Sequence, residues 1–266
     1  MSTAASDLQE DILLREDRDG VAWLTLNRPQ QYNALSEAML ARLQTTLDAI
    51  ETDESVRVVV LAARGKAFCA GHDLKEMRAH PDKTYQRELF QRCSRLMLTL
   101  LRLPQPVIAR VHGTATAAGC QLVATCDLAV AAEAARFAVS GINVGLFCST
   151  PSVALGRNMH RKPALEMLFT GDFIDARTAR ERGLVNRVVG ADELDEAVGE
   201  LAAKISAKSA AAVAAGKRMF YRQLEMGVVE AYDYAAEVMA CNMMAHDARE
   251  GIDAFVDKRK PQWKHR

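Results

Sequence analysis

The chain has 266 residues, of which 49% are hydrophobic, enough for one large globular domain or for one domain with a helical appendage. Thirty-four basic residues balance thirty-four acidic ones, so no overall field draws nucleic acid or an anionic membrane, although a local basic patch can still hold a phosphorylated ligand. No run reaches the roughly eighteen apolar residues of a membrane helix, and Met1–Glu10 is short, polar and acidic, which reads as neither a secretory signal nor a transit peptide.

Ile12-Leu13-Leu14 and Val21-Ala22-Trp23-Leu24-Thr25-Leu26 flank Arg18-Asp19-Gly20, and an Asp-Gly pair favours the positive φ angles of a tight hairpin. After Asn27-Arg28-Pro29 and a loop through Asn33, Ser36 is placed to cap a helix with Met39, Leu40, Leu43, Leu47 and Ile50 on one face. Val56 to Ala62 then reads as a strand too apolar for a sheet edge. It leads into Lys66-Ala67-Phe68-Cys69-Ala70-Gly71-His72-Asp73-Leu74-Lys75-Glu76, a strand, a turn opened by Gly71, and a helix start capped by Asp73. Backbone amides at such a turn offer a site for developing negative charge.

Helical spacing from Tyr85 to Leu103 brings Leu89, Phe90, Cys93, Leu96, Met97, Leu100 and Leu101 together, and Pro104 and Pro106 end the run. Val107–Val111 is the next buried strand. The small residues Thr114-Ala115-Thr116-Ala117-Ala118-Gly119 allow close approach of backbone to backbone or ligand, Cys120 to Cys126 reads as a short buried helix, and Asp127–Ala132 and Arg136–Val139 read as strands. From Asp192 the pattern is almost wholly helical, Ala-rich through 209–216, with a helix from Val229 to His246 and a basic tail at 255–260, the kind of appendage that packs on a neighbouring subunit. An α/β core over residues 1–195 and a helical region over 196–266 are therefore expected. Cys69, Cys93, Cys120, Cys126, Cys148 and Cys241 contain no C-x-x-C pair; reduced, buried thiols and a cytosol-like compartment follow.

Leu26-Asn27-Arg28-Pro29, the 66–76 stretch, Gly119-Cys120-Gln121-Leu122, Cys126-Asp127, Phe169-Thr170-Gly171, Arg182-Gly183-Leu184-Val185-Asn186-Arg187-Val188-Val189 and Ala254–Arg259 together resemble the enoyl-CoA hydratase/isomerase (crotonase) superfamily, nearly end to end. The resemblance implies a crotonase-like spiral of repeated ββα units with a C-terminal helical trimerisation region, assembled as a homotrimer or a dimer of trimers. It implies an acyl-CoA thioester ligand of fatty-acid metabolism, with coenzyme A as part of the substrate, no permanently bound cofactor and no metal. It carries the two thioester-holding amides to His72 and Ala118. His72 thereby counts among the coenzyme-binding residues; the adenine end maps to backbone around Ala70, Asp73 and Leu74, the nucleotide and pantetheine path to Gln31 and Tyr32, and the closing groups to Phe255 and Lys258, whose ammonium suits a phosphate. The implied compartment is cytoplasmic, or the mitochondrial matrix for a eukaryotic chain whose transit peptide has been removed.

Two positions depart from that pattern. Where hydratases of the family place two glutamates, this chain has Gln121 and Gly141. Neither can move a proton near neutral pH, and losing general acid–base groups forfeits about 10²–10⁴-fold each, which argues against ordinary enoyl-CoA hydration. The stretch Gly141–Pro151, with 71–76, resembles the subgroup of domain-containing protein three, and Ser149 stands about where some relatives carry another acid. Two readings stay open: an enzyme using the oxyanion hole without the glutamate pair, or a non-catalytic acyl-CoA binder or assembly partner. The side chains of His72, Cys148 and Ser149 read as lining rather than as reacting groups, Asp73 as a helix cap, and Gln121 either as a hydrogen-bonding group toward water or thioester or as a filler of the polar niche.

Overall fold

The computed structural model describes residues 11–266. In chain order the elements are β1 (Leu13–Arg18), β2 (Val21–Leu26), α1 (Glu37–Glu51), β3 (Val58–Ala63), β4 (Ala67–Cys69), α2 (Leu74–Ala79), α3 (Lys83–Arg102), β5 (Val107–Val111), β6 (Thr114–Thr116) and α4 (Ala118–Thr125). There follow β7 (Leu128–Ala132), β8 (Arg136–Ala138), α5 (Ser149–Asn158), α6 (Arg161–Thr170), β9 (Ile174–Asp175), α7 (Ala176–Glu181), β10 (Arg187–Val189), α8 (Leu194–Ser206), α9 (Ala210–Gln223), α10 (Val228–Met243) and α11 (His246–Val256).

Asp19 (φ 51°) and Gly20 (φ 74°) make the hairpin turn that the sequence announces, and β1 pairs antiparallel with β2. From there the large sheet runs β1-β2-β3-β5-β7-β10, parallel after the first pair, while β4, β6, β8 and β9 form a second, smaller sheet. The successive pairs β3-β4, β5-β6 and β7-β8 each lay one strand in each sheet before the chain returns through a helix, which is the repeated ββα spiral. Continuous apolar runs such as Val58–Ala63, buried at every position, suit central parallel strands covered on both faces.

One face is covered by α1, α3 and α4, whose Leu43, Leu47, Leu96, Leu100 and Leu122 pack with Leu24, Val59, Leu61 and Val107. Val58, Val60, Ile108 and Val130 point to the other face, where Leu194, Val198 and Ala202 of α8 seal them. The boundary expected at 195/196 falls inside α8, and the packing of α8 joins it to the core. Three boundaries also shift for local reasons. Helix α3 starts at Lys83 because Asp82 caps it, accepting from Thr84 N and Tyr85 N. The strand read from Val56 begins at Val58, and the helix read as Val229–His246 is Val228–Met243, with α11 starting afresh at His246. Five cysteines are buried as expected; Cys241 is exposed.

Helix α9 is held to the core by a nearly dry ionic contact. Lys217 Nζ, 6% exposed, donates to Asp127 Oδ2 at 2.6 Å and to the carbonyls of Leu100 and Gln105, while Tyr221 donates to Asp127 Oδ1 at 2.8 Å. Beyond this contact α9, α10 and α11 leave Phe220, Leu224, Val228, Val229, Tyr232 and Met239 exposed. Among the described residues no helix is long and apolar enough to cross a membrane.

Candidate functional site

The turn after β4 and the start of α4 meet. Gly71 has φ 94°, and a Cβ built there would lie 2.9 Å from Ala117 Cβ, 3.1 Å from Thr116 O and 3.2 Å from Ala118 N, so glycine is required for both conformation and space. Behind it Gly119 packs so closely on β4 that a Cβ would come within 2.1 Å of Cys69 O. Ala117 enters α4 at φ 50°, ψ −121°, a conformation that costs an L-residue energy and that only surrounding structure can hold. No side chain caps α4. Its first amides, Ala118 among them, lack intrahelical acceptors and carry the positive end of the helix dipole.

The 28–37 segment clasps this turn. Ala70 N donates to Tyr32 O at 3.0 Å, Leu35 N donates to Gly71 O at 2.8 Å, and Leu35 bridges to His72. Asn33 organises the clasp. It is fully buried in the left-handed region at φ 54°; its Oδ1 accepts from Arg28 N, and its Nδ2 donates to Arg64 O and Ala67 O, each at 2.8 Å. Sequence reasoning passed over Asn33, although asparagine in a loop is the side chain best suited to positive φ with local hydrogen bonds.

The other expected residues fall into three groups. Asp73 caps α2 by accepting from Lys75 N and Glu76 N, and its carboxylate lies 3.6 Å from Arg28, a structural role. Gln31, Tyr32, Ala70 and Leu74 stand on the same two facing segments, with Gln31, Tyr32 and Leu74 open to solvent. Phe255 and Lys258 do not join them within one chain: α11 packs chiefly on α9 and α10, and Phe255, 85% exposed, borders a cavity of about 420 Å³ whose lining all comes from residues 208–263.

His72 stacks edge-on against Phe90 at 5.5 Å, with both ring nitrogens buried and neither within hydrogen-bond geometry of a partner. Burial pushes its pKa down, with the Leu35 backbone opposing, so the imidazole is neutral at pH 7. Gln121, 4% exposed, lies on α4 with its Oε1 buried and unpartnered.

Gly141 sits in a tight turn over Ser140–Val144, and a Cβ there would lie 2.5 Å from Leu146 O and 2.7 Å from Cys148 Sγ. A side chain at 141 is therefore excluded by backbone as well as by the thiol. Burial raises the Cys148 thiol pKa and holds Cys120, whose charge would feel Cys148, up at about 12; neither is a ready thiolate. Ser149 Oγ donates only to Phe147 O, at 3.4 Å. Among the described residues no group of three or more His, Cys, Asp or Glu is placed to hold a metal ion.

The arrangement thus sets the Gly71 turn against the uncapped start of α4, beside Gln121 and Gly141, neither of which carries a titratable side chain. Known proteins share its frame. A family profile described as Enoyl-CoA hydratase/isomerase matches residues 16–266. Enoyl-CoA hydratase domain-containing protein 3, mitochondrial, of Xenopus laevis is 47% identical over 263 residues, spanning 98% of this chain and 90% of the relative. The crystal structure of the human protein of that name superposes with a TM-score of 0.93 at 45% identity, covering 95% of this chain and all of that one. An enoyl-CoA hydratase structure from Mycobacterium smegmatis gives 0.94 at 62% identity, covering 96% and 99%. By the length of the match and these identities, the chain belongs to the enoyl-CoA hydratase/isomerase family and has its crotonase fold.

Proposed function

We propose that this protein binds an acyl-CoA thioester, whose carbonyl oxygen accepts from the backbone amides of His72 and Ala118. The observation that carries this reading is the close approach of Gly71, the residue before His72, to the uncapped start of α4, where a Cβ built at Gly71 would lie 3.2 Å from Ala118 N. Preorganised donors of this kind stabilise an enolate-like oxyanion by about 2.7–4 kcal/mol each. Backbone around Ala70, Asp73 and Leu74 holds the adenine end of the ligand, and Gln31 and Tyr32 line the nucleotide and pantetheine path. Phe255 and Lys258 close over the ligand of a neighbouring copy in a homotrimer or a dimer of trimers, which fits the exposure of Phe255 on α11 and of Lys258 just after it, and the open apolar side chains of α9 and α10. The metabolic setting is fatty-acid metabolism, in the cytoplasm or, in a eukaryote, the mitochondrial matrix.

Ordinary hydration is not the reaction, because Gln121 and Gly141 supply no acid or base and the turn around Gly141 has no room for one. The enzyme reading is therefore one of oxyanion stabilisation without the glutamate pair. A second reading, a non-catalytic binder or assembly partner, is favoured by the same obstruction at Gly141. Crotonyl-CoA turnover by the purified protein tests the reading of the missing carboxylates: hydratase rates of the ordinary order would refute it. Calorimetric titration with acyl-CoA thioesters and free CoA tests the cradle itself; absence of any binding would sink both readings.

A further inference from the structure

Helix α11 ends in a conformation that its sequence does not favour. Arg259 N donates to Ala254 O at 2.9 Å and Lys258 N to Phe255 O at 3.3 Å, the paired bonds of a left-handed helix stop, with Lys258 at φ 56°. Glycine is the usual residue at that point, and this chain supplies it after α6 (Gly171, φ 69°) and after α7 (Gly183, φ 86°). A lysine there carries strain that its surroundings must hold, and such strain gathers at functional positions; Tyr32, Asn33 and Ala117 of the candidate site have positive φ as well. Among the described residues the exposed Lys258 ammonium pairs with no carboxylate, whereas the Arg259 guanidinium beside it is taken by Glu250, at 2.7 Å, and by Asp257.

Past Lys258 the chain turns back along α11. Glu250 Oε1 accepts from Arg259 Nη1 and from Gln262 N, each at 2.7 Å. Asp247, 3% exposed, accepts from Lys264 N and His265 N at 2.8 Å each, and its own N donates to Arg266 O at 3.1 Å. Trp263 Nε1 donates to Ala207 O at 2.8 Å, and its ring lies against Gly251, where an added Cβ would come within 3.1 Å of it. A buried carboxylate is costly unless its lone pairs are filled, and Asp247 fills them with the main-chain amides of 264 and 265. Resting on the thioester reading above, in which the Lys258 ammonium meets a phosphate of the ligand, we infer that residues 259–266 form a strap that aims this ammonium, with Asp247 and Trp263 as positioning residues. Glycine at 258 would end the helix without strain but would leave nothing to reach the ligand. Lysine reaches it only while the strap holds the left-handed turn; once released, residue 258 relaxes to the negative-φ conformations that lysine prefers, and its side chain is redirected.

The test is a double-mutant cycle read by calorimetric titration of the whole protein with butanoyl-CoA: wild type, Lys258→Gly, Asp247→Asn, Trp263→Phe, and each of the last two combined with Lys258→Gly. Lys258→Gly is expected to weaken binding roughly three- to thirtyfold, as loss of a charge-assisted contact does, while its urea midpoint equals or exceeds that of the wild type, because glycine relieves the turn. Asp247→Asn and Trp263→Phe are each expected to weaken binding about two- to tenfold in the wild-type background and not at all in the Lys258→Gly background, since their effect passes through that one side chain. Trp263→Phe keeps the ring on Gly251 and removes only the indole N–H, so it remains readable if Asp247→Asn unfolds the strap altogether. Wild-type affinity in Lys258→Gly or in Trp263→Phe would overturn the inference and leave the thioester reading standing. So would a loss of equal size in both backgrounds, which is what a general loosening of the helical region would give, or a Lys258→Gly protein less stable than wild type. If the wild type does not bind butanoyl-CoA, the thioester reading falls and this inference with it.

Discussion

Replacing Gly141 tests whether the second carboxylate position is merely vacant or structurally closed. An added Cβ meets Leu146 O at 2.5 Å and Cys148 Sγ at 2.7 Å, both well inside ordinary contact distance. The thiol can turn away; the carbonyl is fixed, because Leu146 N donates to Gly141 O across the same tight turn. Overpacking of this kind costs about 1–3 kcal/mol, so Gly141→Ala should lower Tm by several degrees, at about 2–4 °C per kcal/mol for a domain approaching this size. Cys148→Gly in the same chain should restore only part of the loss, since the Leu146 carbonyl remains. Gly156→Ala is the control: its Cβ meets nothing within 4 Å on α5, and it should gain about 0.5–1 kcal/mol from helix propensity. Urea denaturation and scanning calorimetry read all four proteins. A Gly141→Ala variant as stable as wild type would refute the closed-wall argument, and hydratase activity in a Gln121→Glu/Gly141→Glu protein would refute its functional consequence.

Lys217→Met should cost about 3–5 kcal/mol by leaving Asp127 unpaired beneath α9, and Tyr221→Phe roughly 1.5–3 kcal/mol by removing a hydrogen bond to a carboxylate; urea midpoints check both, and a loss under about 1 kcal/mol for Lys217→Met would contradict the ion pair's importance. His72 and His112 both have pKa values lowered by burial, so the unfolded chain binds more protons below about pH 6.5. Stability from these groups is therefore fully present above that pH and lost as pH falls through it, which Tm measured from pH 5 to 7.5 should register; a flat profile in that window would count against buried neutral imidazoles. Sedimentation equilibrium should give a mass of three or six chains, because Phe220, Val228, Val229 and Tyr232 stand open on α9 and α10; a stable monomer would remove the proposed role of Phe255 and Lys258.

Legibility followed the range of the interactions. The 19–20 hairpin turn, the Ser36 and Asp73 caps and the all-apolar strand before Gly71 are local, so spacing alone located them. The split into two sheets was not legible, because β4, β6, β8 and β9 are two or three residues long and pair only with partners far along the chain. Helix α8 carries the same amphipathic pattern as the helices after it, and nothing short of the assembled sheet shows that Leu194, Val198 and Ala202 belong under β3, β5 and β7. At the site, the departures at 121 and 141 could be read directly. The obstruction at 141 could not, because it comes from Leu146 backbone and Cys148, and the organising role of Asn33 depends on carbonyls thirty-one and thirty-four residues away.

The two halves of this site are exposed to substitution very differently. The proposed cradle is made of main-chain amides at His72 and Ala118, beside Gly71, Gly119, Asn33 and the strained Ala117; of all side-chain changes at 72 or 118 only proline removes a donor, and changes at the supporting positions disturb folding. The proton-transfer half of a hydratase is two carboxyl groups, each removable by one substitution without harm to the core. A chain can thus keep the fold and the oxyanion cradle while its chemistry changes completely. Here the change goes further than deletion, since Leu146 and Cys148 fill the space at 141 and a neutral amide stands enclosed at 121. A site that had only lost its carboxylates would be left with a polar void. This one has no such void at 141, where a side chain would meet the Leu146 carbonyl and the Cys148 thiol.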